Sequence, residues 1–193
     1  RSAKGSLEEN DIRHFAEDDE GYLWMATTGG ILRMKRNTGE TTIYNQYLPG
    51  GLDYPSYRQL LHDGNKLWMG TSGDGVWMMN KTTGIFSRPR PADTTNSLAL
   101  TERFNNTYVW KILKLRSGLC WIAGGGRSFL LNPTAGLYQP MSFASEHLSS
   151  RSAAQDISGR LWHGTSQGLW CYDSSFQLLF SVLDSFPDKR IAA

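Results

Sequence analysis

One local pattern occurs four times in this chain. Residues 21–32 read GYLWMATTGGIL, residues 65–77 NKLWMGTSGDGVW, residues 118–130 GLCWIAGGGRSFL and residues 159–170 GRLWHGTSQGLW. The anchor tryptophans are Trp24, Trp68, Trp121 and Trp162, spaced 44, 53 and 41 residues apart. Each copy continues in the same style, through ILRMKRNTGETTIY, VWMMNKTTGIFS, FLLNPTAGLYQ and LWCYDSSFQLLF. A pattern repeated at this interval marks one supersecondary unit used several times over, and that excludes most folds before any residue is assigned.

Each unit reads as four strands. A short mixed segment comes first, then a turn with Asp or Gly at residues 18–21, 63–65, 117–118 or 156–159. A Leu-Trp-x-x-Thr strand follows, then a glycine turn and an apolar strand. A second turn holds Thr38-Gly39, Thr83-Gly84 or Ala135-Gly136, and the last strand ends in Tyr44, Phe86, Tyr138 or Phe180. Turn signals at this density predict an all-β chain. No stretch shows sustained helical periodicity. A four-stranded antiparallel unit of this length is the size of a β-propeller blade. One small twisted sheet cannot bury both faces, whereas stacked sheets cover each other, with the repeated Trp between them. The Thr can hydrogen-bond the turn that follows, and Gly supplies the positive φ. The predicted blades are residues 11–47, 56–90, 108–141 and 150–181, with 182–193 opening a further one. The expectation is a single fragment of a propeller.

Charge and cysteine content narrow the function. Twenty basic and eighteen acidic residues give a net charge of +2 with no block of like charge, which excludes a nucleic-acid or direct membrane-surface role. Seven tryptophans within a 12% aromatic share suit a sheet-rich core. Cys120 and Cys171 each adjoin a Trp in an apolar run and read as two separate buried thiols. No segment reads as a signal peptide, and no apolar run approaches membrane-spanning length.

The chain carries no legible catalytic or metal centre. His14, His62, His147 and His163 show no ligand spacing, and no Cys-x-x-Cys occurs. The Asp-rich turns lack the alternating oxygens of a calcium loop, so each Asp is expected to cap its own hairpin. The run GGGRS at 124–128 has no Gly-Lys-Ser/Thr after it and falls where the other units have their glycine turn. The expectation is therefore no catalytic residue, no metal and no cofactor.

The string D-x-x-G-x-L-W-x-G-T-x-x-G-L, nearly complete at 156–169, resembles the two-component regulator propeller repeat. Residues 18–31 match with Ala26 in place of a glycine. The second copy is offset by a residue in each turn, and the third lacks the Asp and has Gly124 for Thr. The resemblance implies the periplasmic sensor region of a Bacteroidetes hybrid two-component regulator, the ectodomain of an inner-membrane protein. Its partners would be a glycan-derived small ligand and the remainder of the propeller. Any histidine kinase would lie elsewhere in the protein.

Repeats keep their scaffold and vary their loops. The glycine turns read TTGG, TSGDG, GGGRS and TSQG, and they are expected to place Thr28, Asp74, Arg127 and Gln167 on one rim. The connections between units add Tyr54, Tyr57, Arg58, Arg103 and Tyr108. The candidate ligand-binding set is Asp74, Arg127, Gln167, Tyr57, Arg58, Arg103 and Tyr108, aromatic faces with guanidinium donors suited to a sugar or sugar acid. The alternatives are a propeller lyase or glycosidase, which would need paired acids on the first strands, and a purely structural interaction scaffold. The first strands, read as DIRHFAE, YRQLLH, VWKILKL and SRSAAQ, hold no acid pair. An arc with uncovered end blades is expected to self-associate, or to close as a four-bladed ring.

Overall fold

The computed structural model describes residues 11–44, 56–141 and 149–182. They form four open antiparallel sheets, one per repeat. The first holds β1 (Ile12–Glu17), β2 (Tyr22–Thr27), β3 (Ile31–Lys35) and β4 (Thr41–Tyr44). The second holds β5 (Tyr57–Asp63), β6 (Lys66–Thr71), β7 (Val76–Asn80) and the two-residue β8 (Phe86–Ser87). Next come β9 (Arg90–Pro91) and the helix α1 (Ser97–Asn105). The third sheet holds β10 (Val109–Lys114), β11 (Cys120–Gly124), β12 (Ser128–Asn132) and β13 (Leu137–Met141), and β9 adds to β13 in parallel as a fifth strand. The fourth holds β14 (Ser150–Gln155), β15 (Leu161–Thr165), β16 (Gly168–Tyr172) and β17 (Leu178–Val182).

The chain divides into two compact units, Arg1–Pro89 with Phe104–Tyr108, and Arg90–Arg103 with Val109–Ala193. Sheets one and two share one core, and sheets three and four share another. In the first unit Trp24, Ala26 and Ile31 of sheet one pack on Tyr57, Leu60, Leu67, Met69, Trp77 and Met79 of sheet two. In the second, Trp121 and Ala123 of sheet three pack on Ala153, Leu161, Trp170 and Tyr172 of sheet four. The first strands of neighbouring sheets lie side by side, β1 with β5 and β10 with β14, and are the inner strands of each unit.

The four anchor tryptophans hold one register. Trp24, Trp68, Trp121 and Trp162 pair with Ala16, Leu61, Leu113 and Ala154 of their inner strands. Three are buried, while Trp162 is half-exposed and meets Phe180 of its own sheet at 5.7 Å. The equal motif does not give equal burial, because among the described residues no further sheet covers that face.

The Asp and Thr of the motif act as local latches. Asp18 Oδ1 accepts from the N–H groups of Glu20 and Tyr22, and Oδ2 accepts from the Trp24 indole at 2.8 Å. Asp156 does the same for Ser158, Arg160 and Trp162. Thr27, Thr71 and Thr165 each donate across the glycine turn, to the carbonyls of Gly30, Gly75 and Gly168 at 2.8, 2.9 and 3.0 Å. Cys120 and Cys171 are separate buried thiols.

The chain is nearly all-β, as expected, and the helix α1 is its one helical element among the described residues. It has nine residues, buries only Phe104 and leaves Leu98 exposed. Two and a half turns with one buried residue leave no period to read in the sequence.

Candidate functional site

The inner strands share a feature the sequence does not announce. In β1, Ile12 faces Thr27 and His14 faces Ala26, so Arg13 is an extra residue, a β-bulge. In β5, Tyr57 faces Thr71 and Gln59 faces Gly70, and the extra residue is Arg58. Trp110 of β10 and Arg151 of β14 are extra in the same way, beside pairs made with Gly124 and Thr165. All four bulges lie beside the last residue before the glycine turn, each on the glycine-turn rim of its own unit. A bulge re-aims a side chain out of the alternation of its strand.

In the first unit that rim carries two polar clusters. Arg58 donates to the hydroxyl of Tyr108 and stacks over its ring, 4.7 Å from the centroid. Tyr108 is held there by a bridge to Ser72, whose N–H donates to the Ser56 carbonyl at 2.9 Å. Both side chains are half-buried. The second cluster surrounds Asp74. Its carboxylate takes an ion pair from Arg88 and a 2.9 Å hydrogen bond from the Trp77 indole, and the Arg88 guanidinium lies 3.9 Å over the Trp77 ring. Arg88 also donates to the Asp74 carbonyl and to Asn105 Oδ1. Asp74 is only 6% exposed. It is therefore a structural anchor of the turn, not the open rim acid that its place in TSGDG suggested. Tyr57 is buried too, and that burial, with the Asp74 charge, raises its phenol well above the ordinary range.

In the second unit Arg127 is half-buried and donates to the carbonyl of Arg103 at 3.3 Å, and Arg103 itself is exposed in the last turn of α1. Gln167 is exposed in its turn, with its N–H on Thr165 Oγ1 at 3.1 Å. Trp110 and Arg151 meet, the guanidinium 4.5 Å from the indole centroid. Of the seven expected residues, the structure thus joins Arg58 with Tyr108 and Arg103 with Arg127, leaves Gln167 open, and buries Asp74 and Tyr57. Tyr54 lies outside the described residues. Arg13, Trp110, Arg151 and Arg88 were missed. The first three sit 10 or 11 residues before an anchor tryptophan, as Arg58 does, and counting back along the repeat finds them.

The opposite edge of the first unit holds a shallow groove of about 410 Å³ lined by Glu20, Gly21, Lys35, Arg36 and Asn37. Beside it, Lys81 of sheet two reaches Asp18 of sheet one at 3.1 Å. Burial alone would raise the Asp18 carboxyl, but the Trp24, Tyr22 and Lys81 hydrogen bonds outweigh it and lower it. The Trp162 indole and Arg160 pull Asp156 down to about 2. These acids are committed to the scaffold. Among the described residues no cluster of three or more His, Cys, Asp or Glu is arranged to hold a metal.

The sequence of residues 6–29 matches the two component regulator propeller family. No curated protein is similar enough in sequence to be matched. The fold is shared with the extracellular domain assigned to a hybrid two-component system of B. thetaiotaomicron, at TM-score 0.72 and 18% identity over 97% of this chain and 24% of that one. A second such domain from the same organism gives 0.71 and 21%, over 97% and 25%. A protein assigned as a gluconolactonase gives 0.63 and 16%, over 92% and 64%. The chain spans about a quarter of the length of the two sensor-system domains. The described residues form four sheets of the propeller-blade type, and the two component regulator propeller match falls at the first of them.

Proposed function

We propose that this chain is part of the ligand-sensing, extracytoplasmic region of a hybrid two-component regulator, and that it binds an oligosaccharide without transforming it. The likeness over 97% of its length to the extracellular domains of two such systems carries the reading. The rim supports it, since a constant scaffold of Asp and Thr latches presents different side chains from each blade. The scaffold acids also support it: Asp18, Asp74 and Asp156 are saturated by indoles, guanidiniums, an ammonium or backbone N–H groups, and none stands ready as a general base. No helix among the described residues is long and apolar enough to cross a membrane. The region is assigned to the periplasm, as the ectodomain of an inner-membrane protein, with the remaining blades of that protein as its structural partner. The fold of the gluconolactonase relative keeps lactone or glycan hydrolysis as the second reading.

Thermal-shift and calorimetric titration against a panel of neutral and acidic oligosaccharides, with product analysis of the same mixtures, tests both. At least one saccharide is expected to raise Tm and to be recovered intact. Hydrolysed product would establish the enzyme reading, and a panel with no binder would remove the sensor reading.

A further inference from the structure

Resting on that reading, we infer that the bulged residues of the inner strands are the ligand-reading positions, and that they select an anionic saccharide. Three observations converge. The bulge recurs at one register in all four sheets, and its four occupants are Arg13, Arg58, Trp110 and Arg151. A position lifted out of the ladder leaves the alternation of its strand, and here it holds three guanidiniums and an indole, all half-buried. Second, each unit forms a guanidinium-on-ring stack there, Arg58 on Tyr108 in one and Arg151 on Trp110 in the other. Such a stack fixes the plane of the guanidinium, so that its N–H fork is pre-oriented for a bidentate anion. The exposed part of the aromatic face suits the C–H surface of a sugar ring. Third, the segment around Arg58 is polar beyond what the chain itself satisfies. Among the described residues the buried side-chain oxygens of Ser56, Tyr57, Gln59 and Ser72 have no hydrogen-bond partner. Unsatisfied groups of this kind are uncommon in folded proteins, and these four lie beside Arg58 and its stacking partner's bridge to Ser72.

Guanidinium forks recognise carboxylate and sulfate oxygens alike. The ligand class is therefore a saccharide bearing either anion, and each unit carries its own stack as a contact point. Neutral sugars would use the aromatic faces alone and forgo the charge-assisted bonds.

The test is calorimetric titration of the whole chain with three probes: an oligogalacturonate, its methyl ester, and a sulfated oligosaccharide of similar length. The inference expects the galacturonate or the sulfated probe to bind at least about tenfold more tightly than the ester. Which of the two binds identifies the anion. Arg151→Gln and Arg58→Gln should each weaken the anionic ligand by about tenfold or more, with Arg→Lys at the same sites recovering little because a point charge replaces the fork. Arg36→Gln, on the opposite edge, should leave binding unchanged. Circular dichroism of each variant separates lost binding from lost fold. Affinity for the ester equal to that for both anionic probes, or equal loss in Arg36→Gln, would overturn this inference while leaving the sensor reading standing. Absence of binding to these probes and to neutral oligosaccharides would overturn both.

Discussion

The fourth sheet should lose stability in mild acid because of one side chain. His163 lies on β15, 1% exposed, with Nε2 2.6 Å from Ser150 Oγ and its ring 5.1 Å from the Trp121 indole. Burial penalises the imidazolium and drops the His163 pKa to about 4. In the unfolded chain the group returns to its ordinary value near 6.5. Between those two values the unfolded chain holds the extra proton, so stability falls as pH falls, and the effect is absent above about pH 7.5. The slope is about 1.4 kcal/mol per pH unit at its steepest, and the loss reaches about 3 kcal/mol near pH 4. That is a large share of the few to fifteen kcal/mol typical of a domain. Urea unfolding followed by tryptophan fluorescence at pH 7.5, 6.5, 5.5 and 4.5 measures it, with His163→Gln in parallel. The variant starts less stable, but its pH slope should be flatter by most of that amount. Measuring above pH 4.5 keeps the carboxylates of Asp18 and Asp156 out of the comparison. Their lowered values contribute stability that is lost only as pH falls below the ordinary carboxylate range. Equal slopes in the two proteins would show that His163 titrates the same way folded and unfolded, and would refute the burial argument.

Trp24→Ala should cost about 3–5 kcal/mol in denaturant melts. Trp162→Ala should cost clearly less, because its ring is only half-buried; a reversed order would overturn the packing given to sheets one and four. Asp74→Ala should cost about 3–5 kcal/mol by leaving Arg88 without its carboxylate, and a loss under 1 kcal/mol would return Asp74 to the rim. Gly75→Ala should rank with it: φ is +60° and a Cβ would lie 2.4 Å from the Phe104 carbonyl oxygen, so soluble, native-like protein with an unchanged Tm would refute that contact. Ile12 and Phe15 on β1, and Leu178, Leu179 and Phe180 on β17, are exposed, and light scattering at micromolar concentration should find self-association that Phe15→Ser with Phe180→Ser reduces. A monodisperse monomer would end that expectation.

Much of the scaffold was legible because its determinants are local. Asp18 and Asp156 sit six residues before their tryptophans, within reach of both the hairpin N–H groups and the indole. Thr27, Thr71 and Thr165 close turns only three or four residues long. What was misread depends on distance. Asp74 looks like a rim acid until Arg88, fourteen residues on, is seen folded back over Trp77. Trp162 looks like Trp24 until the face above it is examined, since burial belongs to the neighbouring sheet. The bulges were invisible for another reason. They are a property of pairing between β1 and β2, or β14 and β15, and a one-residue slip leaves no mark on either strand read alone.

That hidden register separates the bulged positions from the repeat motif. The residue that donates across the glycine turn in three of the sheets is also the residue whose backbone faces the start of the bulge. In sheet three Gly124 replaces the Thr, the side-chain latch is gone, and only the Gly124 N–H bond to the Arg127 carbonyl at 2.9 Å closes the turn. Yet Val109 still faces Gly124, and Trp110 is still extra. The strand register, not the hydroxyl, therefore fixes where the bulge lies. What occupies it is unconstrained by the core, so Arg and Trp are tolerated in equivalent places. A substitution at residue 13, 58, 110 or 151 changes the rim without disturbing Trp24, Trp68, Trp121 or the latches. A substitution at a latch disturbs the turn that holds its blade together. On the proposed reading, specificity resides in the bulged positions and their stacking partners, and the repeat motif serves the fold.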